Sequence, residues 1–324
     1  MIKYATIGTS FIAEQFVTGA NATGKLKLTA VYSRKNETGI AFAQKFGCSR
    51  VYTSLQDLAN DAEIQAVYIA SPNSCHEEQT EFLLNAGKHI ICEKPITTSA
   101  AEYKRLKTLA DQKGLIYIEA IIPIYNTSRN RIKKAISEIG NICMAKIDYC
   151  QRSSRYDRFM RGEHVNIFDM SLHTGTLMDL GVYCVYAAVD LFGMPKSIQA
   201  SASFLSNGAD GSGIAIFEYD NFSASLTYSK TGQSVAPTEI VGDSGSVIME
   251  TAVYYQDAYL VKQGEKTPLF DNISKETLMG YEAVAFCEFI NGKCFDEYKR
   301  NSEICLMVHT CMDAIKQKAD IKYN

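Results

Sequence analysis

The chain has 324 residues, more than one hydrophobic core usually organises, so two domains are expected. Hydrophobic residues make up 46% and charged residues 21%, near globular averages, which excludes disorder as the main state. Thirty-three Lys and Arg against 36 Asp and Glu leave a net charge of -3 without a basic block, which argues against nucleic acid and anionic membrane as partners.

The first third alternates short apolar runs with amphipathic stretches, the pattern of a parallel sheet joined by crossover helices. Strands are predicted at Lys3 to Gly8, Leu26 to Tyr32, Ala66 to Ala70, His89 to Cys92 and Leu115 to Ile118. Ser54 with Asp57, and Ser99 with Glu102, have the spacing of capping boxes and mark two helix starts. After residue 121 come a helix over 128–139, a strand over 142–149, a polar loop over 151–163 and a long apolar helix that stops at Gly193 before Pro195. Residues 196–262 read as a meander of strands with turns at Asp220-Asn221 and at 242–245. Two helices close the chain, the last predicted to open at Ser302. The domains are drawn at 1–120 and 121–324.

No uncharged run reaches the roughly 18 apolar residues of a bilayer helix, so a soluble protein is expected. A signal-like start with Lys3 and Ala20-Asn21-Ala22 is interrupted by Glu14 and Gln15. Ten cysteines without a C-x-x-C pair suit free thiols in a reducing cytoplasm. Five unclustered histidines offer no metal-ligand spacing, so no metal is expected.

Three segments carry chemistry. The first strand runs into Gly8-Thr9-Ser10-Phe11-Ile12-Ala13, where a dinucleotide fold places a glycine-rich turn and a helix N-terminus against pyrophosphate. Only the first glycine of G-x-G-x-x-G is kept, and an ordinary strand-to-helix turn would need Gly8 equally. The second strand ends at Tyr32-Ser33-Arg34-Lys35, without the carboxylate that would hold the ribose hydroxyls of NAD. Ser33 and Arg34 suit the 2′-phosphate of NADP, although a solvated basic turn would look the same. The missing acid also argues against S-adenosylmethionine. The fifth strand delivers Cys92-Glu93-Lys94-Pro95 at its carboxyl end, where open α/β sheets bind ligands.

Ser71-Pro72-Asn73, His76 and the run from Ala86 to Pro95, with Gly175 to Tyr183 farther on, resemble the glucose-fructose oxidoreductase and inositol dehydrogenase (Gfo/Idh/MocA) family over essentially the whole chain. The resemblance implies an α/β architecture, with an N-terminal Rossmann domain and a C-terminal α+β domain whose open, mostly antiparallel sheet pairs subunits into a homodimer or a dimer of dimers. It implies NADP or NAD bound by Gly8, Thr9, Ser10, Phe11, Ile12, Ser33, Arg34, Ser71, Pro72, Asn73, His76, Glu93 and Lys94. It also places Lys94 beside the nicotinamide and the substrate hydroxyl.

Many relatives carry Asp and His four residues apart, whereas this chain has Asp179 and Tyr183, as in the branch of dimeric dihydrodiol and xylose dehydrogenases. Spacing i, i+4 directs both side chains to one helical face. A phenol titrates near about pH 10, and a nearby ammonium would lower it, which makes Lys94 the candidate cation. Tyr125, Asn126 and His173 are candidate substrate contacts. Arg152, Arg155, Arg158 and Arg161 read more simply as a loop that neutralises its own Asp157 and Glu163. The expected activity is hydride transfer between nicotinamide and a hydroxyl-bearing carbon of a sugar, polyol or diol. An aldehyde or imine reductase on the same scaffold, and a sugar sensor or regulator that binds the dinucleotide without turnover, are the alternatives.

Overall fold

The computed structural model describes residues 1–323. They divide into two compact units, one of residues 1–97, 101–122 and 274–302, the other of 98–100, 123–273 and 303–323. One break between the units falls after residue 122, and neither unit is continuous in the chain. Residues 274–302 return to the N-terminal unit because their helix buries an apolar face there, a pairing that no local pattern reveals.

The N-terminal unit is built on strands β1 (Ile2–Ile7), β2 (Leu26–Tyr32), β3 (Arg50–Tyr52), β4 (Ala66–Ile69), β5 (His89–Glu93) and β6 (Tyr117–Ala120). All pair in parallel, in the order β3-β2-β1-β4-β5-β6. Five of these strands match the apolar runs, while β3 is a three-residue edge strand too short to show a period. Helices α1 (Phe11–Ala22), α2 (Asn36–Lys45), α3 (Leu55–Asn60), α4 (His76–Asn85) and α5 (Ala100–Gln112) form the crossovers. Ser54 caps α3, its Oγ accepting from the amide of Asp57 at 3.3 Å. The chain order reverses between β1 and β4, and the carboxyl ends there open a crevice.

The C-terminal unit holds α6 (Ile122–Tyr125), which opens one residue before it, α7 (Arg129–Ser137), β7 (Ile142–Cys150), α8 (Tyr156–Met160) and α9 (Val182–Phe192). Then follow β8 (Ser197–Phe204), β9 (Asp210–Glu218), β10 (Ser223–Ser229), β11 (Thr238–Gly242), β12 (Gly245–Thr251), β13 (Gln256–Lys262) and β14 (Glu265–Pro268). The sheet order is β14-β13-β12-β11-β7-β10-β9-β8. It is not the plain meander expected, because β7 inserts between β11 and β10 and pairs with β10 in parallel. Ala145, Ile147, Ala224, Leu226, Ala215 and Phe217 are buried, whereas Met144 and Ile214, at alternate positions, stay exposed. The apolar stretch Met170–Phe192, long enough by composition to cross a bilayer, is 78% buried within the protein over its most apolar window.

The chain closes with α10 (Lys275–Ile290) and α11 (Phe295–Lys318). Helix α10 lies on α1 in the N-terminal unit, where a β-carbon on Gly19 would come within 2.9 Å of Gly280, so the small residues set the close approach. Helix α11 begins seven residues before the predicted Ser302, whose hydroxyl instead bonds back to the carbonyl of Tyr298 at 2.9 Å.

Candidate active site

In the N-terminal unit the turn after β1 is shaped for close backbone approach. Gly8 has φ of 102°, and a β-carbon there would sit 2.5 Å from the carbonyl oxygen of Ala70. Thr9 is half-buried, and Ser10 and Phe11 are exposed. Ser10 is the N-cap of α1 yet makes no side-chain capping bond, so the first amides of a twelve-residue helix are left for an outside acceptor. Half-buried Ile12 lies in the first turn of that helix. These features fit a pyrophosphate. At the end of β2, Ser33 is buried and its Oγ accepts from the amide of Lys35 at 3.3 Å, while Arg34 is exposed.

Beyond β4, half-buried Ser71 and Pro72 lead to Asn73, which opens a single 3₁₀ turn. Ser71 donates to Gln79 at 2.7 Å. His76 is fully buried, its Nδ1 2.9 Å from the carbonyl of Pro95 and its Nε2 2.9 Å from that of Ser71. Burial lowers its pKa, which favours a neutral ring that donates to one carbonyl. Without exposed surface, it ties the loop after β4 to the turn after β5. Glu93 is likewise covered, accepting from the Tyr68 hydroxyl at 2.6 Å and from the Lys94 amide at 3.3 Å. Burial pushes its carboxyl up to about 7, against the opposing pull of Tyr68 and Lys94. Lys94 is half-buried, and the Lys94-Pro95 bond is cis.

The C-terminal unit brings together a second group of residues. Asp179 does not sit in a regular α-helix: residues 177–181 form a π-helical turn ahead of α9, a widening common at functional positions. Asp179 forms an ion pair with Lys230, a lysine only 5% exposed just beyond β10. Tyr183 lies in the first turn of α9, half-buried, with its ring edge-on to Tyr149 at 5.8 Å. Asp210 braces the same segment, accepting from the Leu177 amide at 2.6 Å, while its carbonyl accepts from the Thr176 hydroxyl at 2.9 Å. A side chain at residue 175 would strike the Asp210 carboxylate, which explains Gly175. Burial lifts Asp210 to about 6, opposed by the Leu177 amide and Lys230.

His173 adopts a left-handed backbone (φ 53°, ψ 44°) and packs its ring 5.8 Å from that of Tyr323. Tyr125 is buried at the end of α6. Asn126 spends its amide on the fold, donating to the Tyr254 carbonyl at 2.5 Å and accepting from the Ser128 amide at 2.9 Å. These bonds hold the loop between α6 and α7. The arginines behave as the simpler reading expects, with Arg152 on Asp157 at 2.6 Å, and Arg158 and Arg161 on Glu163 at 2.7 and 2.8 Å.

The sequence pattern of an oxidoreductase family with an NAD-binding Rossmann fold matches residues 2–121, and that of the GFO/IDH/MocA C-terminal domain matches residues 130–248. The chain belongs to the Gfo/Idh/MocA oxidoreductase family. Like the other enzymes of this kind, it is an NAD(P)-dependent oxidoreductase. An uncharacterized oxidoreductase of Escherichia coli K12, YgjR, is 38% identical over 91% of this chain and 90% of its own. The NADP(+)-dependent scyllo-inositol 2-dehydrogenase IolU of Bacillus subtilis 168 is 36% identical over 100% of this chain and 98% of its own. Among solved structures, the 3-ketoreductase KijD10 of Actinomadura kijaniata with NADP and TDP-benzene superposes with a TM-score of 0.85, at 21% identity over 98% of both chains.

Three residues of this Gfo/Idh/MocA protein escaped the sequence reading: Lys230, Asp210 and Glu282. Each reads locally as an ordinary strand end, turn or helix residue; Lys230 and Asp210 become notable through burial beside a partner far away in the chain, and Glu282 through burial alone. The one local hint is Gly175, a glycine at a helix entrance where no turn demands it.

Proposed function

We propose that this enzyme uses NADP to oxidise or reduce a hydroxyl-bearing carbon of a polyol, sugar or diol, with Lys94 and Tyr183 handling the proton. The observation that carries the reading is the crevice of the N-terminal sheet, where the ends of β1, β4 and β5 present the Gly8 turn, the Ser71 loop and Lys94 together. Gly8 to Ile12 would hold the pyrophosphate, Ser33 and Arg34 the 2′-phosphate, and Ser71 to Asn73 the nicotinamide side. The absence of a carboxylate after β2 and the 36% identity to an NADP(+)-dependent inositol dehydrogenase support NADP over NAD.

The cofactor, when bound, supplies the hydride exchange. Lys94 orients and polarises the substrate oxygen, and Tyr183 exchanges the hydroxyl proton. Asp179, held by Lys230, accepts a hydrogen bond from a substrate hydroxyl or from Tyr183, and Tyr125 and His173 line the substrate side. The exposed apolar residues Met144, Phe204 and Ile214 of the C-terminal unit suit a second copy of the chain, giving a homodimer.

Turnover is measured by nicotinamide absorbance with scyllo-inositol and a panel of sugars and diols. Lys94→Met and Tyr183→Phe are each expected to lower kcat at least about 100-fold while changing NADP affinity far less. Full turnover in both variants would remove the assignment. Arg34→Ala should weaken NADP about tenfold and leave NAD nearly untouched.

A further inference from the structure

Glu282 sits on α10 within the N-terminal unit, 1% exposed, and among the described residues neither of its carboxyl oxygens has a hydrogen-bond partner. Such a group needs an explanation, because an unmatched buried polar atom is costly and an unmatched buried charge far more so. The face that α1 turns inward is Ala13, Phe16, Val17, Gly19 and Ala20, with no charge. From the sheet, β5 brings Glu93, the charge that acts on Glu282, and β4 brings Tyr68, which feels both acids and Cys92. Glu93 in turn feels Lys94 and, from β6, Glu119. Glu14 of α1 pairs with Lys45 and Glu288 of α10 with Lys25, while Lys275 and Glu276 lie exposed at the start of α10.

Two carboxyls buried this way do not both ionise near neutrality. Burial and the neighbouring Glu93 push Glu282 well above the carboxylate range. An acid that keeps its proton adds no second negative charge near Glu93, where a carboxylate would be repelled. Glu93 already spans the gap to the functional turn, with one oxygen on the Tyr68 hydroxyl and the other facing the Lys94 amide. Phe16, stacked on Tyr68 with ring centroids 3.8 Å apart, fixes the tyrosine that anchors it.

We propose that Glu282 is a positioning residue for Lys94: with Glu93 and the Tyr68 hydroxyl it forms a buried proton-holding cluster that keeps the Lys94-Pro95 turn in place and loosens it on ionising. The inference rests on the reading of Lys94 as the residue that orients the substrate oxygen.

The sign of the pH effect follows from linkage. A carboxyl raised in the folded state keeps its proton there while the unfolded chain releases it. The folding equilibrium therefore weakens up to about tenfold per pH unit between the ordinary carboxylate range and the folded value. The test compares full-length wild type, Glu282→Gln and Glu282→Leu. Thermal melting without cofactor is followed from about pH 5 to about pH 8, and kcat and KM with NADP(+) and scyllo-inositol from about pH 6 to about pH 10.

Glu282→Gln, which keeps shape and a donor but cannot ionise, is expected to melt with a shallower dependence on pH and to push the alkaline fall of kcat/KM upward. Glu282→Leu is expected to have a kcat at least about tenfold below that of Glu282→Gln at neutral pH, with a smaller change in KM. A Glu282→Gln melting profile that follows wild type overturns the proposal. So does an unchanged kcat/KM profile beside an altered melting profile. Full turnover in Lys94→Met would instead overturn the reading of Lys94, and appears in that variant alone.

Discussion

Two pairs of carboxyl groups, Asp190 with Asp179 in the C-terminal domain and Glu282 with Glu93 in the N-terminal domain, are treated differently by the fold. In the C-terminal domain the Asp190 side chain, with no exposed surface, meets Arg129 Nε at 2.9 Å, Lys133 at 2.8 Å and the Tyr255 hydroxyl at 3.1 Å. Asp179 meets Lys230 in the same way. In the N-terminal domain Glu282 meets no hydrogen-bond donor among the described residues, and Glu93 has a tyrosine and a backbone amide. Removal from water is costly for Asp190, Glu282 and Glu93 and less so for the partly exposed Asp179, and the fold answers that cost in two ways. Cations turn Asp190 and Asp179 into struts, whereas the N-terminal pair is left to answer with a proton, and a group that answers with a proton responds to pH.

Removing a cation from the first set should have the largest effect. Arg129→Met strands a fully buried aspartate and is expected to cost about 3–5 kcal/mol of stability, measured by denaturant unfolding. A loss below about 1 kcal/mol would mean that the pair is no strut. Lys230→Met should cost less, about 2 kcal/mol, because the Asp179 side chain keeps 33% of its surface exposed and solvent screens it. This variant should also reduce kcat/KM about tenfold, while Arg129→Met, once folded, should leave it closer to wild type. The smallest effect carries the opposite sign: Glu282→Gln should gain melting temperature relative to wild type as pH rises. Equal differences at acidic and alkaline pH would erase the distinction between the two domains.

Much of the N-terminal domain was legible in the residues themselves. Its central strands β4 and β5 are mostly apolar runs buried on both faces, its α3 opens on a capping serine, and Lys94 stands at a strand end by position alone. The candidate cofactor turn was legible as well, since Gly8 and Ser10 are neighbours in the chain. Other elements were hidden. The three-residue β3 is shorter than the period that would betray it, and Ser302 imitates a helix start while bonding back into the helix it sits in. The burial of His76 and Glu93, and the bonds by which they hold the loops after β4 and β5, were not legible in the sequence.

The sequence by itself determined the parallel α/β order of the first domain, the turn after β1, the Lys94-Pro95 segment and the four-residue spacing of Asp179 and Tyr183. Each of these depends on residues a few positions apart, where side-chain alternation, caps and backbone preferences act directly. Tertiary structure alone decided that β7 enters the sheet between β11 and β10, that α10 returns to lie on α1, that Lys230 meets Asp179 and that Glu282 of α10 is buried. These pairings join segments tens to hundreds of residues apart. They are chosen by which buried surfaces and charges can satisfy one another, a property of the packed whole that no short stretch of chain contains.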